Sequence, residues 1–247
     1  MRIKTILNYS PNFHPKKRNF KQIKFIVFHY TGMKKESEAI NRLTNIQSQV
    51  SSHYLIKNNG QIVSMVPDLY IAWHAGVSFW KNFKSLNKYS IGIEISNPGH
   101  NYKYKRFSKI QIKSILKLSK FLIKKYKIDS KNILGHSDIA PHRKKDPGEK
   151  FPWQYLESQK VSLWHNISNR LLKKNRMKKI DQESKKNFYK NLFKIGYSVK
   201  NPKNIKKDKF LNLVVKAFQR RFRQELINGQ IDQECFLISK NLAKKLN

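Results

Sequence analysis

Gly135-His136-Ser137-Asp138-Ile139-Ala140-Pro141-His142-Arg143-Lys144-Lys145-Asp146-Pro147-Gly148 is the stretch on which the reading of this chain turns. It sets a histidine and an aspartate ten residues apart on an irregular, proline-containing segment, with basic residues just before the aspartate. Far upstream, the apolar run Phe25-Ile26-Val27-Phe28 ends in His29, ahead of Tyr30-Thr31-Gly32. Two histidines and one carboxylate leave the fourth position of a tetrahedral zinc open, which is the ligand set of a hydrolytic metal site. His29, His136 and Asp146 are therefore the candidate metal ligands, and Zn2+ the candidate cofactor.

Around these residues the pattern alternates between strand and helix. Ile23 to His29 is a short β-branched and aromatic run that reads as a buried strand, and Glu36 to Gln49 reads as an amphipathic helix. Ser52 to Ile56 and Gln61 to Val66 flank Lys57-Asn58-Asn59-Gly60, where Asn-Gly signals a hairpin. Ser90 to Ser96 alternates as a strand and stops at Asn97-Pro98-Gly99. Ser108 to Tyr126 carries a helical stripe of Ile112, Ile115, Leu116, Leu118, Ser119 and Leu122, with Ser108 as N-cap. Ile133-Leu134 is a short strand leading into the His136 loop. Interleaving of this kind predicts an α/β fold with a mixed central β-sheet flanked by helices. After a charged stretch between Leu172 and Lys186, three helices are expected at Ser184–Phe193, Lys207–Phe222 and Gln233–Leu246. Two domains follow: a catalytic one over 1–175 and a small C-terminal three-helix one over 184–247.

The 247 residues include 52 Lys and Arg against 15 Asp and Glu, a formal net charge of +37. That balance favours polyanions. The cations are mostly lysines spread along the whole chain, however, without the clustered Arg and interleaved aromatics of a nucleic-acid module, so no specific nucleic acid is expected. Cys235 is alone, which excludes an intramolecular disulfide and a cysteine-based zinc site. No apolar run reaches bilayer length and no secretory leader is evident, so the expected address is cytoplasmic, with the cell envelope as the alternative. A monomer is expected.

Glu94 lies inside the strand between Ile93 and Ile95 and shares a face with Gly92 and Ser96. A carboxylate on that small-residue face can act as general base toward water. Lys144, two residues before Asp146, can place an ammonium near a developing oxyanion. Trp73-His74-Ala75-Gly76 supplies aromatic and small residues suited to lining a sugar or peptide groove.

In order and spacing, Phe28-His29-Tyr30-Thr31, Ser51-Ser52-His53-Tyr54-Leu55-Ile56, Val66-Pro67-Asp68, Ala72-Trp73-His74-Ala75-Gly76, Ser90-Ile91-Gly92-Ile93-Glu94-Ile95, Gly135 to Gly148 and Phe151-Pro152-Trp153 resemble the zinc-dependent N-acetylmuramoyl-L-alanine amidases, relatives of peptidoglycan recognition proteins. The resemblance covers roughly residues 8 to 165. It implies zinc on His29, His136 and Asp146, Glu94 as catalytic acid/base and Lys144 on the oxyanion. It also implies substrate-binding roles for Tyr30, His53, Trp73, His74, Ala75, Asn97 and Arg143. Aspartate as third ligand sides with the bacterial AmpD and AmiD branch. The tail, through Leu192 to Tyr197, Ala217 to Arg223 and Gly229-Gln230-Ile231-Asp232, resembles a helical peptidoglycan-binding domain. The implied partners are peptidoglycan fragments or the sacculus, cut at the amide between the muramyl lactyl group and L-alanine. A muropeptide-binding protein that senses without cutting is the alternative.

Overall fold

The computed structural model describes residues 3–198 and 205–246. Its strands and helices, in chain order, are β1 (Ile6–Leu7), β2 (Phe13–His14), β3 (Phe25–Tyr30), α1 (Glu36–Thr44), β4 (Tyr54–Ile56), β5 (Ile62–Ser64), β6 (Ile71–Ala72), β7 (Phe79–Trp80), β8 (Phe83–Lys84) and β9 (Ser90–Ile95). There follow α2 (Lys109–Tyr126), β10 (Ile133–Gly135), α3 (His136–Ile139), α4 (Trp153–Ser158), α5 (Asn169–Asn175), α6 (Gln182–Ile195), α7 (Lys207–Phe222) and α8 (Gln233–Lys244). The six-stranded sheet runs β1-β5-β4-β9-β3-β10. Only the β4–β5 pair is antiparallel, so the sheet is mixed and flanked by helices, as expected.

Local chemistry accounts for most boundaries. The β4–β5 hairpin closes where Lys57 N–H donates to the Gln61 carbonyl at 2.9 Å, and Gly60 takes a φ of +80° that its neighbours would resist. Ser108 caps α2 in a reciprocal arrangement with Gln111. The helix expected to reach Gln49 ends at Thr44 instead. Asn45 turns its side-chain oxygen to the Gln47 N–H and starts a separate tight turn over Ile46–Ser48. The first tail helix starts two residues earlier than its apolar pattern suggests, because Asp181 caps it at the Ser184 N–H, and Gly196 ends it.

The central strands β3 and β9 are parallel and buried on both faces, which is why they read as near-continuous apolar runs. Their core is continuous with that of the tail: Phe28, Trp80 and Trp153 belong to the same apolar cluster as Phe188, Phe218 and Phe222. The expected 175/184 boundary falls between α5 and α6, and apolar packing crosses it. Three parallel strands, β9, β3 and β10, lie side by side, and their carboxyl ends carry Glu94, His29 and the start of α3. Carboxyl ends of parallel strands are where open α/β sheets place their ligands.

Candidate active site

Register brings the chemistry together. His29 pairs with Glu94 across β3 and β9, and Gly135 pairs with Phe28, so His136 emerges beside His29 at the end of β10. Asp146 returns from the loop, where its carbonyl accepts the Ser137 N–H at 2.8 Å. The two histidine Nδ1 atoms lie 2.9 Å apart, and Asp146 Oδ2 lies 3.0 Å from each. All three side chains are buried.

This cluster fits a metal ion. His136 Nε2 faces the Ala75 carbonyl at 3.2 Å, an acceptor only, so Nε2 carries the proton and Nδ1 presents a lone pair. That lone pair faces His29 Nδ1 and a carboxylate oxygen, a convergence of electron pairs that calls for a cation. Ligand atoms about 2.0–2.1 Å from a tetrahedral zinc sit roughly 3.3 Å from one another, close to the spacings seen here. Burial, reinforced by His136, lowers the His29 pKa to about 4, keeping the imidazole neutral as a ligand must be. Burial alone would raise the Asp146 carboxyl, but the two histidines hold it well below the usual carboxylate range.

Glu94 is the other acid at the site. Burial first, then the nearby Asp146 charge, raises its pKa to about 8 against a partial offset from Lys144. Its Oε2 is buried and has no hydrogen-bond partner among the described residues. A carboxyl so poised can hold or release a proton near neutrality. A cavity of about 520 Å³ opens over this cluster, lined by Glu94 and Lys144 together with Tyr30, Trp73, His74 and Arg143.

The other expected contact residues are distributed unevenly. Tyr30 lies on the cavity wall, where its hydroxyl meets His100 Nδ1 at 2.8 Å, and Trp73 remains 36% exposed at the mouth. Arg143 lines the cavity too, but its guanidinium ties down the Ala75 and Val77 carbonyls. His74 is buried, with its Nδ1 3.1 Å from His29 Nε2.

Three of the expected contact residues lie off the cavity wall. His53 is wholly buried away from the cavity, with Nδ1 accepting from Gly92 N–H and Nε2 facing the Tyr70 carbonyl, so it braces the strands. Ala75 is buried and contributes its carbonyl to His136 rather than a surface to the groove. Asn97 stabilises the turn after β9, accepting from Gly99 N–H and donating to the Lys105 carbonyl.

Sequence reasoning passed over His100, Arg42 and Asn101, which also line the cavity. His100 bridges the Tyr30 hydroxyl and the Glu149 carboxylate, at 2.8 and 3.0 Å. Only the turn at Gly99, which brings His100 back over Tyr30, could have signalled this.

With this geometry in place, residues 19–149 match the N-acetylmuramoyl-L-alanine amidase family. The chain belongs to that family. It is 35% identical over 241 residues to the N-acetylmuramoyl-L-alanine amidase AmiD of Escherichia coli, covering 92% of this chain and 84% of that protein. The solved complex of that AmiD with anhydro-N-acetylmuramic acid-L-Ala-D-γ-Glu-L-Lys superposes with a TM-score of 0.77 at 34% identity, covering 91% of this chain and 90% of the other. AmpDh3 of Pseudomonas aeruginosa, solved with an anhydromuramic pentapeptide, gives a TM-score of 0.77 at 28% identity and 94% coverage of both chains. The 1,6-anhydro-N-acetylmuramyl-L-alanine amidase AmpD of E. coli is 40% identical over 105 residues, 42% of this chain and 55% of its own. Similarity to AmiD and AmpDh3 thus runs through the helical tail, whereas similarity to AmpD spans a shorter segment.

Proposed function

We propose that this N-acetylmuramoyl-L-alanine amidase works as a zinc hydrolase on peptidoglycan fragments, with His29, His136 and Asp146 as the zinc ligands. The observation that carries the reading is their buried convergence beside a carboxyl, Glu94, whose Oε2 has no partner among the described residues. When bound, zinc supplies Lewis acidity, lowering the pKa of water and polarising the amide carbonyl.

The chain's own residues supply the rest. Glu94 takes a proton from the attacking water and delivers it to the departing L-alanine nitrogen. The lactyl carbon gains a C–O bond and loses its C–N bond, leaving a lactyl carboxylate and a free amine. Lys144, on the cavity wall, places its ammonium where the carbonyl oxygen gathers negative charge. Arg42, Arg143 and Lys145 share that wall and suit a substrate whose stem peptide carries carboxylates. Anhydromuropeptides bound to AmiD and AmpDh3 support the same substrate class here. Among the described residues no helix is long and apolar enough to cross a membrane.

Metal analysis joined to turnover tests this reading. One zinc per chain is expected, with activity lost on chelation and restored by zinc. Glu94→Ala is expected to keep the metal while losing about 10²–10⁴-fold in rate. Turnover that survives both chelation and Glu94→Ala contradicts the proposal.

A further inference from the structure

A zinc-bound histidine needs its second ring nitrogen held, because that hydrogen bond fixes both the tautomer and the direction of the ligand lone pair. His136 meets this need with the Ala75 carbonyl. Among the described residues His29 faces no carbonyl or carboxylate with its Nε2; it faces another imidazole, His74 Nδ1, at 3.1 Å. Either ring could carry the shared proton, so the pair alone does not say which way the bond runs.

The next contacts decide. Ser90 Oγ donates its only proton to the Leu86 carbonyl at 2.6 Å, which leaves it an acceptor toward His74 Nε2 at 3.2 Å. The His74 proton therefore sits on Nε2, and Nδ1 is a lone pair. His29 must then donate from Nε2, which frees its Nδ1 for the metal. A peptide carbonyl four residues before Ser90 thus sets the protonation of a ligand on a different strand.

The surrounding residues are cut to hold this arrangement. A Cβ at Gly92 would lie 2.4 Å from His74 Cγ, so the ring occupies space that only glycine leaves. Asn87 Oδ1 accepts from the backbone N–H groups of both His74 and Ala75, fixing the segment that serves His29 through a side chain and His136 through a carbonyl. On the single face of β9 that reads Ser90, Gly92, Glu94, the first residue orients His74, the second makes room for it, and the third faces the cavity.

We propose that His74 is a positioning residue for the metal site, accepting the His29 Nε2–H in a relay that runs Leu86 carbonyl, Ser90, His74, His29. A neutral imidazole in this place orients the ligand without adding negative charge to it, so the ion keeps more of its electrophilicity than a carboxylate partner would allow. The inference rests on the zinc reading given above.

The test uses the full chain and zinc alone. Competition with a chromogenic chelator is expected to show His74→Ala binding zinc about 10–100-fold more weakly than the unmutated chain. His74→Asn, whose amide oxygen can stand where Nδ1 stood, is expected to recover most of that loss. Long-range ¹⁵N spectra of the imidazoles are expected to show His74 protonated at Nε2 and unprotonated at Nδ1. Thermal unfolding of the zinc-free variants separates a lost ligand orientation from a lost fold.

A His74→Ala chain that folds and binds zinc as tightly as its parent overturns the proposal, as does a proton on His74 Nδ1. A folded His74→Asn no better than His74→Ala overturns it too. An unmutated chain with no zinc affinity overturns the zinc reading itself, a result distinct from zinc binding that is indifferent to residue 74.

Discussion

The two histidines of the site stand side by side and share the His74-Ala75 segment as a ring support, yet the backbone frames that carry them are held differently. His29 sits within the six-residue strand β3, and its ring supports are His74, in the loop after β6, and behind it Ser90, at the start of the neighbouring strand β9. His136 opens a four-residue helix after a three-residue strand, a far shorter local frame. That frame is held by Asp138, which accepts from Gly135 N–H at 2.8 Å, from the Tyr197 hydroxyl at 2.7 Å and from Arg221 Nη1 at 2.7 Å. Tyr197 and Arg221 belong to the helical tail, 59 and 83 residues further along the chain. The frame of His29 is a strand of the central sheet; the frame of His136 is tied to the tail through Asp138. The tail is thereby built into the support of the candidate metal site.

Breaking the tail's ion pair should produce the largest effect. Arg221 and Asp138 are both buried, and the guanidinium also lies over the Trp153 ring, 4.3 Å from its centroid. Arg221→Met strands a buried carboxylate and is expected to cost about 3–5 kcal/mol in denaturant unfolding. A loss under about 1 kcal/mol would mean that the pair does not fasten tail to sheet. Tyr197→Phe removes one charge-assisted hydrogen bond from the same carboxylate, with an expected loss of about 1.5–3 kcal/mol. If the two losses prove independent, Asp138 is not the shared anchor, so the double variant sharpens the comparison.

The sheet side offers an effect of opposite sign. The Glu94 pKa rises on folding from an ordinary 4.5 to about 8, so between those pH values the folded chain binds the proton that the unfolded chain releases. Zinc-free stability therefore falls as pH rises through that window. Glu94→Gln should remove this dependence, so that its stability relative to the parent rises steadily from pH 4.5 to pH 8. Equal pH slopes for the two proteins would show that Glu94 is not carried protonated in the fold.

What the sequence disclosed follows the same division. Features resting on neighbours in the chain were legible: the Asn-Gly hairpin, the Ser108 cap, the apolar runs of β3 and β9, and the histidines that end strands. The face shared by Gly92 and Glu94 was legible too, though not that His74 fills the space Gly92 leaves. The sequence was mute where a residue acts at a distance. Ile6 and Leu7 pair with β5 through two residues only, too few for a pattern. Tyr197 and Arg221 read only as parts of the tail's resemblance to a peptidoglycan-binding domain, because nothing local points to Asp138. His53 sits among motif residues but turns into the core, since its ring nitrogens are taken by Gly92 and Tyr70.

Cleavage in heavy-oxygen water tests the central claim most directly. The zinc-loaded chain would be incubated with an anhydro-N-acetylmuramyl tripeptide in H₂¹⁸O and the products weighed by mass spectrometry. The account predicts a single ¹⁸O in the muramyl lactyl carboxylate and an unlabelled tripeptide with a free L-alanine amine, with cleavage by Glu94→Ala slowed about 10²–10⁴-fold. Label in the peptide fragment, a cut at another bond, or an intact substrate would contradict it.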